Sequence, residues 1–166
     1  MGIDSYKWLP RVFAERYREL PVELREPIPW TALRAPLSEL KLGLVTSAGI
    51  YIEGREPAFD AERERREPTW GDPSYRTIPR DAPRQGIGAS HLHLNNDFVR
   101  SDLNVALPLD HAEEAVADGL IASLAETQYS LMGYQLDTTA WEQRYVPEVA
   151  QRLRDEAVDV VVVTPT

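Results

Sequence analysis

The chain has 166 residues, 43% of them apolar and 27% charged, which sets the expectation of one domain with a sizeable core. Eighteen basic against 27 acidic residues give a net charge of −9, so there is no excess of positive charge to bind a phosphate backbone, and nucleic acid is excluded as a partner. The absence of cysteine excludes disulfides, thiolate metal sites and a cysteine nucleophile within these residues. With no apolar run of about 18 residues and no charged-then-apolar leader, no membrane partner is expected, and the cytoplasm is the expected location.

Residues 4–20 place Leu9, Val12, Phe13, Tyr17 and Leu20 on one helical face, with Pro10 suited to a first turn. A proline-rich arm follows, with Pro21, Pro27, Pro29 and Pro36, which cannot be one helix or a central strand. Helix and arm together form an N-terminal part, 1–39, in front of an α/β domain spanning 40–166. "LKLGLVTSAGIYI" (40–52) predicts the first strand, broken by the small residues from Thr46 to Gly49. Residues 53–89 are charged and rich in proline and glycine, yet Trp70, Tyr75 and Ile78 predict an ordered excursion. The mixed-sign run at 62–66 reads as a solvated face.

"SHLHL" (90–94) alternates polar and apolar residues and predicts a strand, and "DLNVALPLD" (102–110) reads as a second strand-like run. A short helix is expected over 110–119, with Asp110 as its cap and Gly119 as its stop. Residues 120–133 mix strand and turn. Pro147 to Glu156 predicts a helix with proline in its first turn, and Val160 to Val163 then read as a strand buried on both faces. Strand, helix and strand alternate from about residue 103. The fold class is therefore α/β: a Rossmann-like layered sheet, mostly parallel and incomplete at its C-terminal end, behind an N-terminal helix and a proline-rich arm.

Two of the three histidines, His91 and His93, fall in one tripeptide. On a strand their Cα atoms would lie about 6.5–7 Å apart on one face. Such a pair can share a metal or act as acid, base or anion-holding groups, with Asp97 and Asp102 near enough in sequence to orient them. Two half-exposed strand histidines without a role are the plain alternative. Thr46, Ser47 and Gly49 offer backbone N–H groups that an anionic ligand could approach closely. If the first and last strands are parallel neighbours, Thr164 and Thr166 open on the same edge as that loop. Arg76 is a candidate for a two-pronged hydrogen bond to a substrate carboxylate, or else a surface arginine in a charged loop. Met132, Gly133 and Tyr134 read as packing and a turn. No metal is assigned.

Five segments taken together, "PIPWTALRAPLSELKLGLVTSAGIYI" (27–52), "GDPSYRTIP" (71–79), "SHLHLNNDFVRSDLNVALPLD" (90–110), "GLIASLAETQYSLMGYQ" (119–135) and "VDVVVVTPT" (158–166), resemble the glycine/sarcosine/betaine reductase selenoprotein B family. They are most similar to its short branch, which includes the proline reductase subunit. The resemblance implies an oxidoreductase that cleaves a C–N bond of a small amine or amino acid reductively. It places a selenocysteine or cysteine nucleophile immediately after the position of Thr166, and a pyruvoyl group on a partner subunit. His91 and His93 would then line the site as proton donors or substrate orienters, with Thr46 to Gly49 and Thr164 to Thr166 as its floor. Because UGA encodes selenocysteine and is otherwise read as stop, the expectation is an N-terminal part ended at UGA, or one chain of a split protein. Within these residues no cofactor is expected. The expected partners are a small amine or amino acid and either a homo-oligomer or a second protein chain. Two alternatives stand beside this: a non-catalytic α/β partner module, and a metal-binding domain built on the two histidines.

Overall fold

The computed structural model describes Arg11, Ala14, Glu15, Arg18 and residues 31–165. Most of the expected N-terminal helix and proline-rich arm, and Thr166, lie outside the described residues. Leu33–Thr166 form one compact unit. Its elements are β1 (Lys41–Thr46), β2 (Ile50–Ile52), α1 (Ala61–Arg66), β3 (Tyr75–Pro79), β4 (Ile87–Ala89), α2 (Asn96–Ser101), α3 (Leu109–Ala117), β5 (Ser123–Leu124), β6 (Thr127–Leu131), α4 (Val146–Asp155) and β7 (Val160–Thr164).

β1 is the middle of the main sheet. On one side it pairs in parallel with β5 and then β6, and on the other in parallel with β7. β3 pairs antiparallel on the outside of β6, and β2 and β4 form a separate antiparallel ribbon. The sheet is thus mostly parallel with helical segments beside it, the expected α/β class. Alternation along β1 divides the core. Leu42 and Leu44 pack with Leu103, Leu107, Leu109 and Leu124, whereas Val45 packs with Tyr129, Leu131, Val149 and Leu153. Gly43 leaves room for α4: a Cβ there would lie 2.9 Å from Leu153 Cδ2.

β5 and β6 are one strand interrupted by a two-residue excursion, since Leu42 stands opposite Leu124 and Val45 opposite Tyr129. A side chain mends the ladder at the gap. The buried Leu44 N–H donates to Gln128 Oε1 at 2.7 Å, and Gln128 Nε2 donates to the Ala125 carbonyl at 2.6 Å.

Four local expectations change in the structure. Residues 91–94 form a turn instead of a strand, because the His93 N–H bonds back to His91 Nδ1 at 3.1 Å and Asn95 caps α2. The run 102–110 is a 3-10 turn (Leu103–Val105) leading into α3. Asp102 accepts from the Asn104 N–H and the Asn104 side chain from the Asp110 N–H, which favours turns over a ladder. Asp110 lies in the first turn of α3, held by Arg84 Nε at 2.7 Å, and Pro108 occupies the cap position. Finally, β7 is an edge strand, with Val161, Val162 and Val163 exposed at 37, 41 and 61%. Apolar composition alone does not place a strand at the centre of a sheet. Among the described residues no helix is long and apolar enough to cross a membrane.

Replacing Gln128 by leucine removes both bonds of the mend and leaves a buried N–H and a buried carbonyl unpaired. The expected loss is about 1–3 kcal/mol of folding stability, read from equilibrium urea unfolding.

Candidate functional site

Because β1, β6 and β7 run in one direction, their carboxyl ends open on one edge of the sheet, where open α/β sheets hold ligands. Thr46 and Thr164 are register partners there. The Ser47 N–H donates to the Thr164 carbonyl at 3.1 Å, and the Thr164 hydroxyl donates to the Ala106 carbonyl at 2.6 Å. The Thr46 hydroxyl accepts from the Ala48 N–H at 3.2 Å. Gly49 turns the chain with φ +62, and a Cβ would meet Met132 Cε at 2.7 Å, so this crossing needs glycine twice over. The Gly49 carbonyl accepts from the Ser90 N–H at 3.0 Å and thereby brings the histidine turn to the same edge. The structure thus unites Thr46, Ser47, Gly49, Thr164, His91 and His93, while Thr166 lies outside the described residues.

Arg76 serves another purpose. Its guanidinium donates to the carbonyls of Pro57, Ala58 and Tyr75 and to Ser74 Oγ, lies 3.6 Å from Asp72 Oδ2, and covers the Phe59 ring at 4.1 Å. It fixes the segment that enters α1, whose N-terminus Asp60 caps through the Arg63 N–H at 2.9 Å. From the other side, the Tyr134 hydroxyl donates to the Pro68 carbonyl and Gln135 Nε2 to the Asp72 carbonyl, clasping the α1 region against the end of β6.

α1 brings the residue that sequence reading missed. Glu64 stands in the run taken for a solvated face, yet it is 3% exposed. Its Oε1 lies 3.8 Å from His93 Nε2, and neither carboxylate oxygen has a hydrogen-bond partner. Burial pushes its carboxyl above the ordinary value, and the nearby His93 and Arg65 oppose that shift. Nothing in "AERERR" distinguishes this glutamate from its neighbours; only the packing of α1 selects it.

His91 is 4% exposed, and burial, then the neighbouring His93, lowers its pKa. Since Nδ1 accepts the His93 N–H, the proton of the neutral ring sits on Nε2, which is buried without a partner. His93 is the accessible member, its side chain 56% exposed, with its ring centroid 5.9 Å from that of His91 and 4.6 Å from that of Tyr134. The arrangement is a buried N–H donor beside an accessible imidazole backed by a carboxylate, which suits holding a polar substrate and moving a proton. Asp97 and Asp102 serve elsewhere: Asp97 pairs with Arg100 at 3.1 Å and Asp102 caps the 3-10 turn. Among the described residues no three His, Cys, Asp or Glu side chains converge to hold a metal.

The fold is thus an α/β sheet whose polar cluster gathers at the carboxyl ends of parallel strands. The chain belongs to the glycine/sarcosine/betaine reductase selenoprotein B family, whose model matches residues 10–166. It is 30% identical over 146 residues to the D-proline reductase subunit gamma of Acetoanaerobium sticklandii, covering 88% of this chain and 57% of that protein. Two glycine reductase complex component B subunits gamma, of Symbiobacterium thermophilum and Carboxydothermus hydrogenoformans, are each 24% identical over 148 residues, covering 89% of this chain and 33% of theirs. The chain therefore spans between a third and somewhat over half the length of these relatives. No solved structure matches it.

Of the groups in this cluster, Glu64 and His91 set opposite pH slopes on stability. Glu64 binds its proton more tightly when folded, so its contribution is full below about pH 4.5 and lost as pH rises through the raised folded value. His91 binds its proton less tightly when folded, so its contribution is full above pH 6.5 and lost as pH falls through the lowered value. In urea unfolding across pH 4–8, Glu64→Gln is expected to remove the first slope and gain relative stability toward pH 7, and His91→Gln to remove the second. Curves parallel to the parent's would contradict the assignment.

Proposed function

We propose that this chain builds the substrate side of a reductase active site that cleaves a C–N bond of a small amine or amino acid, working as a subunit of a reductase complex. The observation that carries this reading is the parallel pairing of β1 and β7, which sets the end of Thr164 against Thr46 to Gly49 beside the His91–His93 turn. A nucleophile following β7, selenocysteine or cysteine, would arrive at the edge where these groups stand. As a selenolate or thiolate, it supplies an electron pair to the substrate carbon as the C–N pair leaves with nitrogen. A thiol then attacks that selenium or sulfur, so that the carbon leaves with the bonding pair and takes a proton, and a second thiol closes a disulfide and frees the nucleophile. Any pyruvoyl group is carried by the partner subunit.

This chain's residues handle the nitrogen. His93, accessible and backed by Glu64, gives a proton to the departing amine, which would otherwise leave as an unstable anion. His91 remains neutral and presents Nε2–H, a donor that orients a substrate oxygen. Backbone N–H groups near Thr46 to Gly49 form the floor.

The names of the relatives, subunits of reductases and reductase complexes, support a second protein chain as partner, and the exposed edge of β7 supplies a surface for further polypeptide. A strand of valines whose outer edge pairs with no strand among the described residues gains both hydrogen bonds and apolar cover from a neighbour. The same edge would serve a homo-oligomer.

In the assembled complex, supplied with the nucleophile-bearing segment, His93→Gln is expected to lower kcat by roughly 10²–10⁴-fold with a small change in KM. Full turnover by the double variant His91→Gln/His93→Gln sinks the reading. Val162→Lys, on the open edge, is expected to abolish assembly by size-exclusion chromatography while leaving the circular-dichroism spectrum of the chain intact.

A further inference from the structure

Five buried side-chain atoms among the described residues lack a hydrogen-bond partner: both oxygens of Glu64, His91 Nε2, Asn96 Oδ1 and Trp141 Nε1. Trp141 packs with the α4-side cluster. The other four belong to one neighbourhood. Asn96 Nδ2 donates to the His91 carbonyl at 3.1 Å, the His91 and His93 rings meet edge to face, and His93 Nε2 stands 3.8 Å from Glu64 Oε1. Buried polar groups are nearly always satisfied, and a buried carboxylate with no donor is among the costliest exceptions. His93 Nε2 stands beyond hydrogen-bond range of Glu64 Oε1, so the imidazole leaves the carboxylate lone pairs unused.

The chemistry of the unmet groups identifies what would meet them. Three are acceptors (two carboxylate oxygens and one amide oxygen) and one is an N–H donor. A carboxylate or phosphate ligand would add acceptors to acceptors and negative charge to Glu64. A divalent metal lacks a third ligand among the described residues. A group with two or three N–H donors and a single positive charge answers both the hydrogen-bond surplus and the unpaired charge.

We propose that Glu64, with His91 and His93 beside it, is a binding site for a primary or secondary ammonium group; resting on the reductase reading above, it is the subsite for the substrate amine. The ammonium reaches Glu64 from the side of His93, the exposed ring, by displacing it from its contact with the carboxylate. His93 then stands next to the nitrogen whose bond to carbon breaks, placed to keep that nitrogen protonated, so that it leaves as a neutral amine. Arg76 and Asp60 act as positioning residues, since they fix the entry to α1 and so the place of Glu64. Because burial holds the Glu64 carboxyl above its ordinary value, affinity for the ammonium rises with pH as that carboxyl ionises.

The test uses the full chain and follows the imidazole signals of His91 and His93 by NMR as simple ions are added. Methylammonium and dimethylammonium are expected to give saturable shifts, whereas tetramethylammonium, which has no N–H donor, and acetate give none. Glu64→Gln is expected to weaken methylammonium binding at least tenfold; should it fail to fold, Glu64→Asp, expected to bind more weakly than the parent, carries the comparison. Absence of saturable shifts, equal shifts with acetate, or unchanged affinity in the Glu64 variants overturns the site. In the assembled complex, Glu64→Gln is expected to raise KM for the amine far more than it lowers kcat. Turnover with an unchanged KM sinks this inference and leaves the reductase reading standing. Methylammonium binding in a complex that never cleaves a C–N bond sinks the reductase reading and leaves the site.

Discussion

β1 hydrogen-bonds on both sides to strands running in its own direction, and this double parallel pairing is the constraint from which the site follows. Parallel neighbours need crossover connections, so the chain must leave the sheet and return between β1 and β5, and again between β6 and β7. Each return brings another carboxyl end to the same edge. The pairing is maintained through a two-residue excursion because Gln128 supplies, from its side chain, the acceptor and donor that the missing backbone would have provided. Gly43 lets α4 approach closely on one face, and Leu42 and Leu44 hold the other.

Upon that frame the loops at the edge are fastened by backbone contacts more than by side chains. Gly49 passes under Met132 and receives the Ser90 N–H, and Gly133 bonds to Ser47. These short links leave the polar side chains of the His91–His93 turn free of structural duty, apart from His91 Nδ1. The α1 region, in contrast, is fastened from two directions, by Arg76 beneath and by Tyr134 and Gln135 beside it. That firm hold is what keeps a carboxylate buried without a hydrogen bond. Local satisfaction has been given up there, and such exceptions concentrate at functional sites.

The edge strand shows a second exception. Three exposed valines on a strand paired along one edge only, among the described residues, are an association hazard unless something covers them. The charged surface of a −9 chain keeps molecules apart in general but offers no charge on this strand itself.

Much of this was legible in the residues. The apolar run 40–45 and the small residues after it located β1 and its break, since β-branched and aliphatic residues suit a buried parallel strand and glycine suits a sharp exit. Pro147 and the spacing of Val149 and Leu153 located α4, and the five spaced motifs carried the family. The histidine tripeptide lies at the sheet edge, although its alternation suggested a strand; a side chain accepting a backbone N–H two residues on made a turn of it. The burial of Glu64, the engagement of Arg76 and the exposure of Val161 to Val163 were not legible at all. Periodicity and composition report what a segment prefers by itself. Burial and partnership depend on which distant segment packs against it, and that was decided only when β1 gathered the strands and the loops closed over their ends.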